Sequence, residues 1–261
     1  METMVKVDGG EVWAEDSGGG DGLPLVLVHP GVGDSEIWDP VRPALAARHR
    51  VIRYDARGFG RSPLPTAAYS LVRDLAAVLD HFALERAVLV GSSMGGATSI
   101  SLALDAPERV AGLALIVPGV NGVDLTTPEM YAEIGRLAEA GDLEGIVRYG
   151  LGQWGAAGGG TPEADPVAAA LLRGALPAWF AAVGRQEAEP SALDRLGEIA
   201  VPAALALGEL DRPEVRRCNE ETAAGIPGCR LVRLAGSDHY PTLREPDAVT
   251  RLIGDVHAAA S

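Results

Sequence analysis

The chain has 261 residues and a formal net charge of −14, with 22 basic against 36 acidic side chains. That balance argues against a surface built to gather phosphate backbones, because nucleic-acid binding depends on Lys and Arg displacing counterions. Hydrophobic residues make up 47% of the chain, yet no apolar run approaches the roughly 18 residues that would span a bilayer, so a protein with a large core and no membrane partner is expected. Met1-Glu2-Thr3-Met4-Val5-Lys6 carries neither a cationic start with an apolar block nor a small-residue cleavage site, and the expectation is a cytoplasmic protein. Cys218 and Cys229 are the only cysteines and have no Cys or His near them at ligand spacing, which points to free thiols and no metal site.

In chain order, Met4 to Val7 and Glu11 to Glu15 alternate around Asp8-Gly9-Gly10, a hairpin signal. The apolar run Leu23 to Val28 reads as a strand covered on both faces, followed by a helix over Asp39 to Ala47 and a strand over Val51 to Tyr54. Leu71, Val72, Leu75, Val78, Leu79 and Phe82 recur at helical spacing; Ala87 to Val90 reads as a strand, Gly95 to Asp105 as a helix and Val110 to Val117 as a strand. Strands and helices that alternate in this way predict an α/β fold, a parallel sheet with helices on both faces.

The rhythm stops at Pro118-Gly119 and returns at Val201-Pro202-Ala203, about eighty residues later, where a single crossover helix needs far fewer. The segment 119–199 therefore reads as a helical lid, with helices over 128–140, 143–151, 167–182 and 192–199 and a glycine tract at 155–162 taken as a flexible loop. Residues 1–118 and 200–261 would form the core, which resumes with a strand over 203–207, a helix over 213–224, the strand 230–234 and a closing helix over 246–259.

Gly91-Ser92-Ser93-Met94-Gly95 has the pattern G-x-S-x-G between a predicted strand and a predicted helix. A sharp strand-to-helix turn there would lift the Ser93 hydroxyl above the strand ends, and the flanking glycines would let neighbouring backbones pass. Serine needs a base. His239, in the loop "GSDHYP" after the last strand, is placed to provide one; His49, His81 and His257 fall on or beside helices. Asp211, after the strand 203–207, is the favoured carboxylate, with Asp124 as its rival and Asp238 expected to point away from its neighbour His239. Backbone N–H groups of Met94 and of Gly31, in "HPGVGDS", would serve an oxyanion, and His29 is read as a structural residue of that loop.

Together, "LVLVHPGVGDSEIWDPV", "YDARGFGRS", "LVGSSMGGATS", "GELDRPEV" and "AGSDHYPTLREPD" resemble the α/β-hydrolase superfamily nearly end to end. The resemblance implies an eight-stranded, mostly parallel sheet with the lid inserted after the sixth strand. It also implies a Ser93-His239-Asp211 triad working by two-step acyl transfer without a cofactor, and a structural role for Asp55 to Ser62. Pro30 departs from the glycine usual after the loop histidine. The motifs are most similar to carboxylesterases and 3-oxoadipate enol-lactonases. Meta-cleavage C–C hydrolases share the elbow but place a tryptophan soon after the histidine, where this chain has Tyr240-Pro241-Thr242.

Between Asn121 and Gly197 there are eleven acidic and five basic residues, so nothing there would attract a dianionic acid. Trp154, Trp179, Phe180 and Tyr240 are candidate substrate contacts, although the lid aromatics could equally form the lid's own core. The reading is a serine hydrolase for a small, largely apolar ester or lactone, acting as a monomer or homodimer on a small molecule. A C–C hydrolase, a biosynthetic cyclase or dehydratase, and a ligand receptor on the same fold are the alternatives.

Overall fold

A computed structural model describes residues 1–20 and 22–261. Its sheet has eight strands: β1 (Glu2–Val7), β2 (Gly10–Asp16), β3 (Leu25–Val28), β4 (Val51–Tyr54), β5 (Ala87–Ser92), β6 (Val110–Ile116), β7 (Ala203–Gly208) and β8 (Arg230–Leu234). They lie in the order β1-β2-β4-β3-β5-β6-β7-β8. Only β2 runs against its neighbours, and β3 to β8 are parallel.

Helices α1 (Arg42–Ala46), α2 (Leu71–His81), α3 (Met94–Asp105), α7 (Pro213–Gly225) and α9 (Pro246–Ala260) cover the faces, and α8 (Pro241–Arg244) is a single turn. Along β3, β5 and β6 the period of two divides the apolar side chains between two cores. Val26, Val28, Leu89, Leu113 and Leu115 meet α2, α3 and α7 on one face, through Leu75, Val78, Ile100 and Ala223. Leu25, Leu27, Val88, Val90, Ala114 and Ile116 meet α1 and α9 on the other, through Leu45, Val249, Leu252 and Ile253. Burial on both faces explains why these strands read as unbroken apolar runs.

Between β6 and β7 the chain forms α4 (Pro128–Glu139), α5 (Leu143–Trp154) and α6 (Pro166–Ala182). Thr127, Asp142 and Asp165 cap them, each accepting a backbone N–H of the first turn. Two expectations need correction. The segment 192–199 is a 3-10 turn over Leu193–Glu198, and the predicted helix 39–47 shrinks to α1 behind a 3-10 turn over Ser35–Trp38. Pro40 and Pro43 lack the N–H groups a longer helix would use.

The glycine tract is also not a free loop. Ala156–Gly158 makes a 3-10 turn, the Ala157 N–H donates to Asp238 at 2.9 Å, and the Gly158 Cα faces the Asp165 carboxylate and the Arg244 guanidinium so closely that a Cβ would strike both.

Cys218 and Cys229 are free thiols. Burial pushes Cys218 up and holds Cys229 up at about 11. Because the folded value lies above the unfolded one near 8.5, this contribution is complete below pH 8.5 and disappears as the pH rises through about 11. Urea midpoints at pH 8, 9.5 and 11 should show wild type losing more than Cys229→Ser, by on the order of 1 kcal/mol. Equal losses would remove the thiol as the cause.

Candidate active site

The chain order places the site before any side chain is considered. From β3 the chain crosses to β4 on one side, and the next parallel strand, β5, pairs with β3 on the other, so β3 and β5 flank the point where strand order reverses. In open α/β sheets a crevice opens there, beyond the carboxyl ends of the strands. Gly31 follows β3 and Ser93 follows β5, so both stand at the crevice. Asp211 follows β7 and His239 follows the adjacent β8.

Ser93 sits at φ 47° and ψ −112°, outside the regions open to ordinary side chains. The turn is held rigidly: the Ser93 N–H donates to Ile116 O at 3.1 Å, and its carbonyl accepts Ala97 N–H at 3.0 Å and Gly119 N–H at 2.9 Å. Glycine is required on both sides. A Cβ at Gly91 would strike the Gly95 carbonyl, and one at Gly95 would strike the Val28 carbonyl of β3.

His239 Nε2 lies 2.8 Å from Ser93 Oγ, and Nδ1 lies 2.6 Å from Asp211 Oδ2. A carboxylate only accepts, so Nδ1 carries the proton and Nε2 is free to accept from the hydroxyl. Asp211 Oδ1 also accepts the Arg212 N–H at 2.8 Å, which fixes the carboxylate plane. His239 and Asp211 are almost fully buried, and Ser93 is half-buried.

The rival carboxylates are occupied elsewhere. Asp124 is exposed and accepts the Thr126 N–H and, at 3.5 Å, the Tyr131 hydroxyl. Asp238 does point away from the imidazole: it accepts the Ala157 and Tyr240 N–H groups and the Arg244 guanidinium.

Met94 opens α3, so its N–H has no partner in that helix, and neither it nor the Gly31 N–H donates a hydrogen bond among the described residues. His29 is part of the loop's support. Its Nδ1–H donates to Pro30 O at 2.8 Å and its Nε2 accepts the Ala56 N–H at 2.9 Å. With the Pro30 carbonyl turned to the imidazole, the trans peptide aims the Gly31 N–H the opposite way. Asp55 accepts the Ser35 and Arg61 N–H groups, and Arg57 makes two 2.7 Å bonds to buried Asp74, so the charges of the 55–62 turn are spent on structure.

Above the crevice, Gly31, Val32, Thr126, Tyr131, Ile134, Trp154, Trp179, Phe180, Val183 and Gln186 line a cavity of about 530 Å³ with no charged side chain. Trp154 and Trp179 meet edge to face, centroids 5.8 Å apart. Tyr240 does not line this cavity: it is fully buried, and its hydroxyl donates to Val32 O at 3.5 Å. Its place beside His239 in sequence suggested a substrate contact, but at the N-cap of α8 its ring packs into the core. Sequence reasoning missed Asp165, which no motif marks, and gave no role to Arg244, although it lies within the stretch "AGSDHYPTLREPD".

A profile of the Alpha/beta hydrolase family matches residues 25–252. The chain belongs to that family. An α/β-hydrolase with a solved structure, the enol-lactonase from Burkholderia xenovorans LB400, superposes with a TM-score of 0.81 at 25% identity, covering 98% of this chain and 100% of that one. The esterase RhEst1 from Rhodococcus sp. ECU1013 gives a TM-score of 0.82 at 26% identity, with 100% and 99% covered. Among curated proteins, 2-hydroxy-6-oxo-2,4-heptadienoate hydrolase of Pseudomonas putida is 41% identical over 127 residues, 46% of this chain and 45% of that protein. The chain spans less than half the length of the curated relatives it matches first. No described helix is long and apolar enough to cross a membrane, and no described group of His, Cys, Asp and Glu could hold a metal ion.

Proposed function

We propose that this α/β-hydrolase cleaves a small, largely apolar ester or lactone by two-step acyl transfer. The observation that carries the reading is the relay from Ser93 Oγ through His239 to Asp211, at 2.8 and 2.6 Å, beside the two free N–H groups of Gly31 and Met94. In the first step Ser93 Oγ attacks the carbonyl carbon while His239 Nε2 takes its proton. The oxyanion is received by the Gly31 and Met94 N–H groups, and the N-terminal end of α3 favours the same charge. As the tetrahedral adduct collapses, His239 returns the proton to the leaving oxygen, and water then repeats the sequence on the acyl-enzyme. Asp211 stays ionised and stabilises the imidazolium.

The segment 119–199 is the lid in this reading, and residues 1–118 and 200–261 are the core that carries the reacting groups. Two of the chain's relatives support an ester or lactone by what they are called: an enol-lactonase and an esterase. The uncharged lining of the cavity favours a neutral substrate arm, since a carboxylate held there would lose its water for no partner. The similarity to a C–C hydrolase keeps carbon–carbon cleavage as a second reading.

p-Nitrophenyl esters of graded acyl length test both points. kcat/KM should rise about threefold or more per added methylene until the cavity is filled, because each buried CH₂ is worth about 0.8 kcal/mol. An ω-carboxylated acyl chain of equal length should be at least about tenfold poorer. A flat length series together with preferred turnover of the carboxylated ester would overturn the substrate reading.

A further inference from the structure

Trp179 was expected at the substrate wall, yet its indole does something else as well. From α6 of the lid, Nε1–H donates to the Gly31 carbonyl at 2.5 Å, across 148 residues of sequence. Gly31 needs such a partner. Its φ lies outside the left-handed region and a Cβ there would meet nothing closer than Met94 at 3.7 Å, so neither sterics nor a forced conformation fixes the residue. A glycine left to itself samples more backbone than any other residue.

The peptide before Gly31 is pinned by His29, which accepts from Ala56 and donates to Pro30 O. The peptide after it is pinned by Trp179 alone among the described residues. The indole is itself held, packed between both hydrophobic cores and edge-on to Trp154, whose carbonyl accepts the His239 N–H at 3.1 Å. The tryptophan pair therefore spans the two backbone segments that carry the oxyanion donor and the base.

We propose that Trp179 is a positioning residue: its indole N–H, seated by the lid, holds the Gly31–Val32 peptide and so keeps the loop that presents the Gly31 N–H from swinging away from the oxyanion. The proposal rests on the acyl-transfer reading and deepens it. An oxyanion donor that wanders binds the tetrahedral state less well while ground-state binding is little changed, so the loss belongs in kcat.

The test is Trp179→Phe, which keeps an aromatic ring and removes the N–H, assayed on a p-nitrophenyl ester that wild type turns over. kcat should fall about tenfold with KM within about twofold, and the affinity of an alkyl trifluoromethyl ketone, which forms a tetrahedral adduct on the serine, should fall by a similar factor. Benzothienylalanine incorporated at 179 replaces N–H by sulfur at nearly constant shape, and it should reproduce the kcat loss if phenylalanine disturbs packing. Unchanged kcat with a raised KM in either variant would make Trp179 a substrate wall only and overturn the proposal. A wild type that turns over no ester would instead remove the hydrolase reading beneath it.

Discussion

Ser93→Ala should lower kcat for a p-nitrophenyl ester by about 10³ to 10⁶-fold while leaving a folded protein. The hydroxyl contributes one hydrogen bond, to His239 Nε2, and the alanine methyl fits where Cβ already stands, so little stability depends on it. The backbone at φ 47° remains strained in the alanine variant. Ser93→Gly releases that strain, of order 1–3 kcal/mol, against the extra chain entropy of glycine. The glycine variant should therefore unfold at higher urea than the alanine variant, by about 1 kcal/mol. Alanine and glycine variants of equal stability would mean that the elbow stores no strain, and retained turnover would mean that Ser93 is not the nucleophile.

Arg244→Met should cost about 3–5 kcal/mol and lower Tm by on the order of 10 °C. The guanidinium lies between two carboxylates, within 3.2 Å of Asp238 and 2.5 Å from Asp165, and the Asp238 side chain is completely buried. Removing the cation leaves two acids facing each other, with the N–H groups of Ala157, Tyr240 and Ala168 as their donors among the described residues. Asp165 caps α6, and Asp238 precedes His239, so this ion cluster ties the start of α6 to the loop that carries the imidazole. Turnover at a temperature where the variant is folded should fall too. Adding Asp238→Asn removes one of the facing charges and should recover part of the stability, a coupling that a double-mutant cycle measures. Additive losses would show that the two side chains do not act together.

The three side chains that the structure brings within hydrogen-bond distance, Ser93, His239 and Asp211, were legible because each rests on local chemistry that a sequence displays. Gly91, Ser93 and Gly95 are fixed by the elbow's sterics, and Asp211 and His239 by the positions they occupy just after strands. The sheet was legible for a similar reason: strands buried on both faces must be apolar throughout, as in Ala87 to Val90 and Val110 to Ile116. What was not legible depends on tertiary partners. Asp165 and Arg244 look like ordinary surface charges until α6 and α8 bring them together around Asp238. Tyr240 beside His239 suggested a substrate contact, but its ring packs into the core, which depends on partners far away in sequence. The tract "GAAGGGTP" read as a flexible loop because composition reports chain freedom, whereas the Ala157 N–H is held by the Asp238 carboxylate 81 residues away. Trp179 could be recognised as an aromatic of the segment 119–199, but not as the donor to Gly31.

The central claim is that Ser93 is an activated nucleophile, and intact-protein mass after treatment with a fluorophosphonate probe tests it most directly. One adduct on wild type, and none on a folded Ser93→Ala protein, is the predicted result. Wild type that is folded yet unlabelled, or equal labelling of the alanine variant, would contradict it.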